Sequence, residues 1–175
     1  MTSRRFLLLW SLLLPCLAAH AGPFIGLKAG MGMVEVADSD FRPWLAGVQA
    51  GLRDPANRWG AELHLATGVR DDEGNNLTFA TDLLTSAYAT VGSVSPDNQV
   101  LLSLGAGYAV LRTDTDTQGS GYPGGQTFDG AALLVRLEER LRYDSPWFLH
   151  ATYEHLFLDT DLSVMNFSLG ASYAF

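Results

Sequence analysis

Met165-Asn166-Phe167-Ser168-Leu169-Gly170-Ala171-Ser172-Tyr173-Ala174-Phe175 closes the chain, and its reading decides the fold. Met165, Phe167, Leu169, Ala171, Tyr173 and Phe175 occupy alternate positions, with Asn166, Ser168, Gly170, Ser172 and Ala174 between them. Strand side chains alternate faces with a period of two, whereas a helix repeats about every 3.6 residues, so this run can bury one face only as a strand.

The same alternation recurs towards the N-terminus. Trp147, Leu149, Ala151, Tyr153 and Phe157 oppose His150, Thr152 and Glu154. Ala131, Leu133, Val135, Leu137, Leu141 and Tyr143 oppose Gly130, Ala132, Arg136, Glu138, Arg140 and Arg142. Val100, Leu102, Leu104, Ala106, Tyr108 and Val110 oppose Ser103, Gly105, Gly107 and Ala109. Further segments set Trp59, Ala61, Leu63, Leu65 and Val69 against Glu62 and His64, and Ala46, Val48, Ala50 and Leu52 against Gln49. The first sets Ile25, Leu27, Ala29, Met31 and Met33 against Lys28 and three glycines. Only the fourth, Leu83 to Val94, is ambiguous, because Leu84 and Tyr88 share a face with Ser86 and Thr90. Eight alternating segments of roughly 10–13 residues are the pattern of a wall with one face in lipid and the other on a lumen.

The connections alternate as well. Asp54–Asn57, Ser95–Asn98 and Asp144–Pro146 are tight turns by composition. Glu35–Pro43, Arg70–Asp82 and Thr113–Gln126 are longer and polar, while Asp159–Asp161 is short. Short turns in the periplasm and loops outside place both ends of an even-stranded barrel on the periplasmic side.

The N-terminal stretch reads as a secretory signal. Arg4 and Arg5 precede the apolar run Phe6–Leu14, and Ala19-His20-Ala21 supplies a small-x-small cleavage site. The apolar run is shorter than the ~20 residues a membrane-spanning helix needs. Residues 1–21 are therefore expected to be removed and 22–175 to form the barrel. Cys16, the only cysteine, leaves with them; Pro15 before it fits a lipidation signal poorly. The remaining chain has nine bases against nineteen acids, a net charge of −10, which argues against a nucleic-acid partner.

In hydrocarbon every backbone N–H and C=O needs a protein partner, so a sheet survives there only by closing. Eight tilted strands close into a cylinder that side chains just fill. The expected inward set is small and polar, and its charged members Lys28, Glu62, Arg136, Glu138, Arg140 and Glu154 should pair, with His64 and His150 in the same lumen network. Trp59, Tyr143, Trp147, Tyr173 and Phe175 would form a periplasmic aromatic belt, and Trp44 and Phe157 an outer one. Glu139 faces lipid by parity and marks either a β-bulge or a rim position. His155 points outward near the outer rim.

The signal peptide, the eight segments and the ending Asn166–Phe175 resemble the small OmpA/OmpX-like eight-stranded outer-membrane barrels. The resemblance implies an all-β, antiparallel up-and-down transmembrane barrel in the outer membrane, in contact with its lipid and lipopolysaccharide. It implies that Phe167, Leu169, Ala171, Tyr173 and Phe175 form the C-terminal signal read by the barrel-assembly machinery. No peptidoglycan-binding domain follows the barrel, so cell-wall tethering is not expected.

Three chemistries are open to such a wall. A lipid A hydrolase would want a His beside a Ser nucleophile and an orienting carboxylate; His155 and His150 lack the His-x-Ser pattern, and Glu154 should face away from His155. Asp114-Thr115-Asp116-Thr117-Gln118-Gly119 is similar to the opening of a calcium loop, but Gln118 and Gly125 stand where ligands are needed. Acids at Asp38, Asp40, Asp71, Asp72, Glu73, Asp159 and Asp161 read as loop solvation, or as sharing divalent cations with lipopolysaccharide phosphates. A narrow channel is opposed by the bulky lumen charges. The expectation is a monomeric membrane barrel with a structural or surface-interaction role, no catalysis, no metal and no cofactor.

Overall fold

The computed structural model describes residues 21–36, 39–54, 56, 58–74, 77–117, 125–159 and 162–175. The expected signal peptide, Ala21 apart, parts of the three long connections, and parts of the Asp54–Asn57 and Asp159–Asp161 connections, Asp38 and Asp161 among them, lie outside them. Ten strands follow in order: β1 (Gly22–Val36), β2 (Ser39–Phe41), β3 (Trp44–Arg53), β4 (Trp59–Arg70), β5 (Asp72–Gly74), β6 (Leu77–Val94), β7 (Val100–Thr117), β8 (Gln126–Arg140), β9 (Trp147–Asp159) and β10 (Leu162–Ala174). Eight of them build the wall. The three-residue β2 and β5 are hairpin additions to β1 and β6 at the long-loop end.

Each wall strand pairs antiparallel with its sequence neighbour, and β10 returns to β1 with a continuous register from Phe24↔Ala174 to Val36↔Leu162. The sheet therefore has no free edge along its seam. Phe175 N–H donates to Pro23 O at 3.0 Å, so both ends of the barrel lie together at the short-turn end. No helix among the described residues is long and apolar enough to cross a membrane, and the crossing elements are strands.

The strands are longer than their apolar patterns. β6 and β7 run 18 residues each, so their hairpin extends past the wall at the long-loop end. The expected loops at Arg70–Asp82 and Thr113–Gln126 are thus partly strand. At the other end β8 stops at Arg140, so Leu141 and Tyr143, expected in the wall, belong to the following turn.

The apolar rows face outward. Leu27, Leu169, Val69, Val91, Leu104, Leu137 and Leu149 are all at least half exposed, which in a water-soluble body of this size would be untenable and in hydrocarbon is the low-energy arrangement. Glu139 pairs with Val100 and Leu149 in unbroken register, one residue from the end of β8: it is a rim residue, not a bulge. A bulge lies just before the ambiguous fourth segment, where Thr81 pairs with Thr113 but Leu83 with Arg112; further register shifts fall at Trp44/Leu45 and Leu162/Ser163. Asp82 is the extra residue, and its carbonyl accepts the Thr67 hydroxyl at 2.9 Å. Skipping one residue turns Leu84, Ser86, Tyr88 and Thr90 to the lumen, where all four are buried.

The lumen departs from the expected small, polar lining. Its half towards the long loops is filled by Val34, Phe41, Leu45, Leu84, Leu111, Leu134, Leu156, Leu158, Leu162 and Val164, packed as one cluster. Its half towards the short turns carries the charges. Glycine is needed where this filling presses on the wall: a Cβ on Gly170 would stand 2.1 Å from Leu27 O and 2.4 Å from the His150 ring.

Candidate functional site

Polar side chains gather in two places, one inside the barrel and one on its outer wall. Inside, Lys28 from β1 reaches Glu154 on β9 at 2.6 Å and His64 Nδ1 on β4 at 2.9 Å. Glu154 also accepts from the Tyr88 hydroxyl at 3.0 Å and from Asn166 Nδ2 at 2.8 Å. His64 bridges two acids, with Nδ1 2.9 Å from Glu154 and Nε2 3.0 Å from Glu62. Arg136 grips both oxygens of Glu62 with its two terminal nitrogens, Nη2 to Oε1 at 2.9 Å. Its Nε lies 3.2 Å from Glu138, without hydrogen-bond alignment. Glu138 is held instead by Arg53 Nη2 at 3.0 Å and by the Ser172 hydroxyl.

Three acids thus meet three bases, all buried, with His64 as the link. Phe24, Leu101 and Phe148 are buried towards the short-turn mouth, and the apolar cluster lies on the other side. The Arg53 guanidinium sits 3.9 Å from the Phe24 ring centre. Ions enclosed this way attract strongly, and losing one partner is costly. His150 joins by its ring, 3.1 Å from Gln49 Nε2, rather than through a carboxylate.

Arg140 does not join. It ends β8, donates to Tyr143 O at 3.2 Å and lies over Phe148; it braces the periplasm-assigned turn instead of pairing a lumen acid. Its expected place is taken by Arg53, the last residue of β3, which is not among the residues expected in the lumen. A void beside Lys28, Asn166 and Ser168 has no room for a water molecule, so the lumen is packed at the level where the ion lattice meets the apolar cluster.

The second gathering is on the lipid-facing wall near the long loops. His155 Nε2 lies 3.1 Å from the Ser163 hydroxyl and Nδ1 lies 3.2 Å from the Tyr153 hydroxyl. In either neutral tautomer one hydroxyl donates to the ring and the other accepts from it. Phe157 stacks on the imidazole at 4.2 Å, nearly parallel. Glu35, exposed on β1, is the register partner of Ser163. The hydroxyl absent from the His-x-Ser pattern is therefore supplied across the β9–β10 hairpin. The group orienting the imidazole is a tyrosine, not a carboxylate.

Immediately below runs an apolar groove of about 420 Å³. Trp44, Met31, Phe167, Tyr153 and Val135 are successive register partners across β3, β1, β10, β9 and β8 and form its bulky side. In the next row Ala151 lies between the larger Leu169 and Leu137, and Ala29 lies on the far side of Leu169, so the wall dips at the two alanines.

Among solved structures, the chain is similar to Ail, the attachment invasion locus protein of Yersinia pestis, crystallised with the heparin analogue sucrose octasulfate. The identity is 18% over 89% of this chain and 99% of that one, with a TM-score of 0.67. Neisserial surface protein A gives 16% identity over 87% and 97%, with a TM-score of 0.66. The N-terminal β-barrel domain of OprF from Pseudomonas aeruginosa gives 15% over 86% and 97%, with a TM-score of 0.56. At these identities the likeness is one of fold. No curated protein matches the chain in sequence. The model of the outer membrane protein beta-barrel domain matches residues 6–175. The chain belongs to that family, and it is an integral, closed eight-stranded β-barrel of the outer membrane.

Proposed function

We propose that this barrel is a non-catalytic surface-interaction protein whose long-loop end faces the outside and recognises cationic partners. The observation that carries this reading is the partition of charge. The lumen is balanced, three bases against three acids. The short-turn end has Arg58, Arg140 and Arg142 against Asp54, Asp97, Glu139 and Asp144. Counted along the sequence, almost all the excess negative charge therefore falls in and beside the long connections, with twelve acids against Arg42, Arg70 and Arg112. Such a field draws cations and repels polyanions. A sulfated sugar of the kind crystallised with Ail is a poor match for it.

The packed lumen supports this reading over a channel. The tyrosine beside His155 supports it over a hydrolase, because a tyrosine hydroxyl carries no charge with which to stabilise an imidazolium. The assembly route belongs to the same proposal: residues 1–21 are removed on export, Phe167, Leu169, Ala171, Tyr173 and Phe175 are read by the barrel-assembly machinery, and the barrel works as a monomer.

The test is binding by the barrel in lipid nanodiscs to immobilised polylysine and to heparin. Retention on polylysine that falls steeply between 50 mM and 500 mM salt is expected. Retention on heparin with none on polylysine would refute the proposal.

A further inference from the structure

We infer that the outer wall over β1, β10, β9 and β8 holds one glycolipid molecule of the outer leaflet, its acyl chain in the groove and its sugar-side polar groups on Tyr153, Ser163 and Glu35. The inference rests on the reading that the long-loop end faces outward.

The groove alone would be filled by any hydrocarbon. What makes it selective is the polar constellation at its long-loop end. Tyr153 contributes to both: its ring lines the groove and packs 4.8 Å from the Phe167 ring, while its hydroxyl bonds His155. Polar groups on a lipid-facing wall are costly unless hydrogen-bonded. Here both imidazole nitrogens are already engaged, so His155 is a clamp that fixes two hydroxyls in place and is not itself a ligand. Spare hydrogen-bonding capacity remains on the Tyr153 and Ser163 hydroxyls. The Glu35 carboxylate opposite Ser163 adds acceptors only. Two hydroxyls and a carboxylate suit a headgroup rich in hydroxyl and amide donors with acyl carbonyls close by. Glu35 would repel a phosphate set directly against it, as a phospholipid's would be beside its acylated glycerol, so a glycolipid held here keeps its phosphates to the side and its hydroxyl and amide groups on the site. Ser163 is the second residue of β10, which puts this polar end beside the membrane surface and the groove beneath it. The volume lies within the range of roughly 300–1,000 Å³ typical of ligand sites.

The experiment is native mass spectrometry of the barrel released from micelles charged with equal amounts of lipid A and acyl-matched phosphatidylglycerol. One lipid A per barrel is expected, retained at least tenfold over phosphatidylglycerol. Ala151→Phe, which points outward and fills the dip without touching the lumen, should abolish retention. Ser163→Ala should reduce the preference to threefold or less, with heat-modifiable gel migration showing that both variants fold. No stoichiometric lipid, equal retention of the two lipids, or full retention by folded Ala151→Phe overturns the inference. Ser163-dependent release of fatty acid would instead overturn the binding-only reading. Orientation is checked separately, by labelling the variant Ser120→Cys with a membrane-impermeant maleimide on intact cells. Labelling only after permeabilisation would overturn the outer-leaflet assignment while leaving retention in micelles as measured.

Discussion

Towards the short turns the barrel interior is held by Lys28, Arg53, Arg136, Glu62, Glu138 and Glu154; towards the long loops it is held by packed leucine, valine and phenylalanine. Both halves are buried, but they fix the structure differently. Hydrocarbon packing tolerates small rearrangement and is nearly indifferent to salt and pH. A buried ionic lattice tolerates little, because each charge has its donors in fixed directions and no solvent to fall back on. Tyr88 belongs to both, its ring in the apolar cluster and its hydroxyl on Glu154. The comparison suggests that the ionic half specifies register around the cylinder while the apolar half supplies bulk cohesion.

The largest effect should come from breaking the ionic half on one side only. Glu154→Ala leaves Lys28 buried without its carboxylate and should cost about 3–5 kcal/mol, read as a lower urea midpoint of the barrel refolded in detergent. Lys28→Met combined with Glu154→Leu should recover most of that loss; failure to recover would mean that the lattice stabilises as well as specifies. Next, Leu156→Ala in the apolar half should cost roughly 2–5 kcal/mol, and the loss should be the same at low and high salt. Where the two halves press on the wall, Gly170→Ala meets backbone at 2.1 Å and should cost about 1–3 kcal/mol.

The smallest effects belong to the Ser95–Gln99 turn, outside both halves. Asn98 has φ 56°, so Asn98→Ala should cost roughly 1 kcal/mol and Asn98→Gly almost nothing. The Asp97 carboxyl is held below its ordinary range by the Ser95 hydroxyl and the Gln99 N–H. Its contribution is therefore present above the ordinary carboxylate range and is lost as pH falls through the lowered value. A chemical-shift titration of Asp97 should show that lowered midpoint, returning towards the ordinary range in Ser95→Ala.

Much of this was legible beforehand, and the failures have physical causes. The outward faces were readable because lipid contact demands unbroken alternation, as in Met165 to Phe175. The apolar lumen half was not. At Leu133–Val135 and Leu156–Leu158 both faces are apolar, so the period vanishes just where the interior is greasy. The fourth segment resisted because its lumen face mixes Leu84 and Tyr88 with Ser86 and Thr90, half apolar and half polar, so neither face stands out as the lipid-facing one. Arg53 was missed because the second alternating segment reads only to Leu52, one residue short of the end of β3, although the inward row of Gly47, Gln49 and Gly51 continues to it and its side chain meets Glu138. His155 and Ser163 are eight residues apart, so a search along one strand could not join them; the hairpin does.

The β1–β10 seam has a consequence for how the molecule forms. It joins segments about as distant as this sequence allows, so the chain entropy surrendered there is the greatest of any strand pairing in the wall, while every other pairing is between neighbours. Stitching it should therefore be the last and slowest event. Because Phe175 lies against Pro23, a short linker could splice those ends, with new ones opened in the 118–124 connection. Such a circular permutant would turn the slow zipper into a local hairpin and should reach the same cylinder faster.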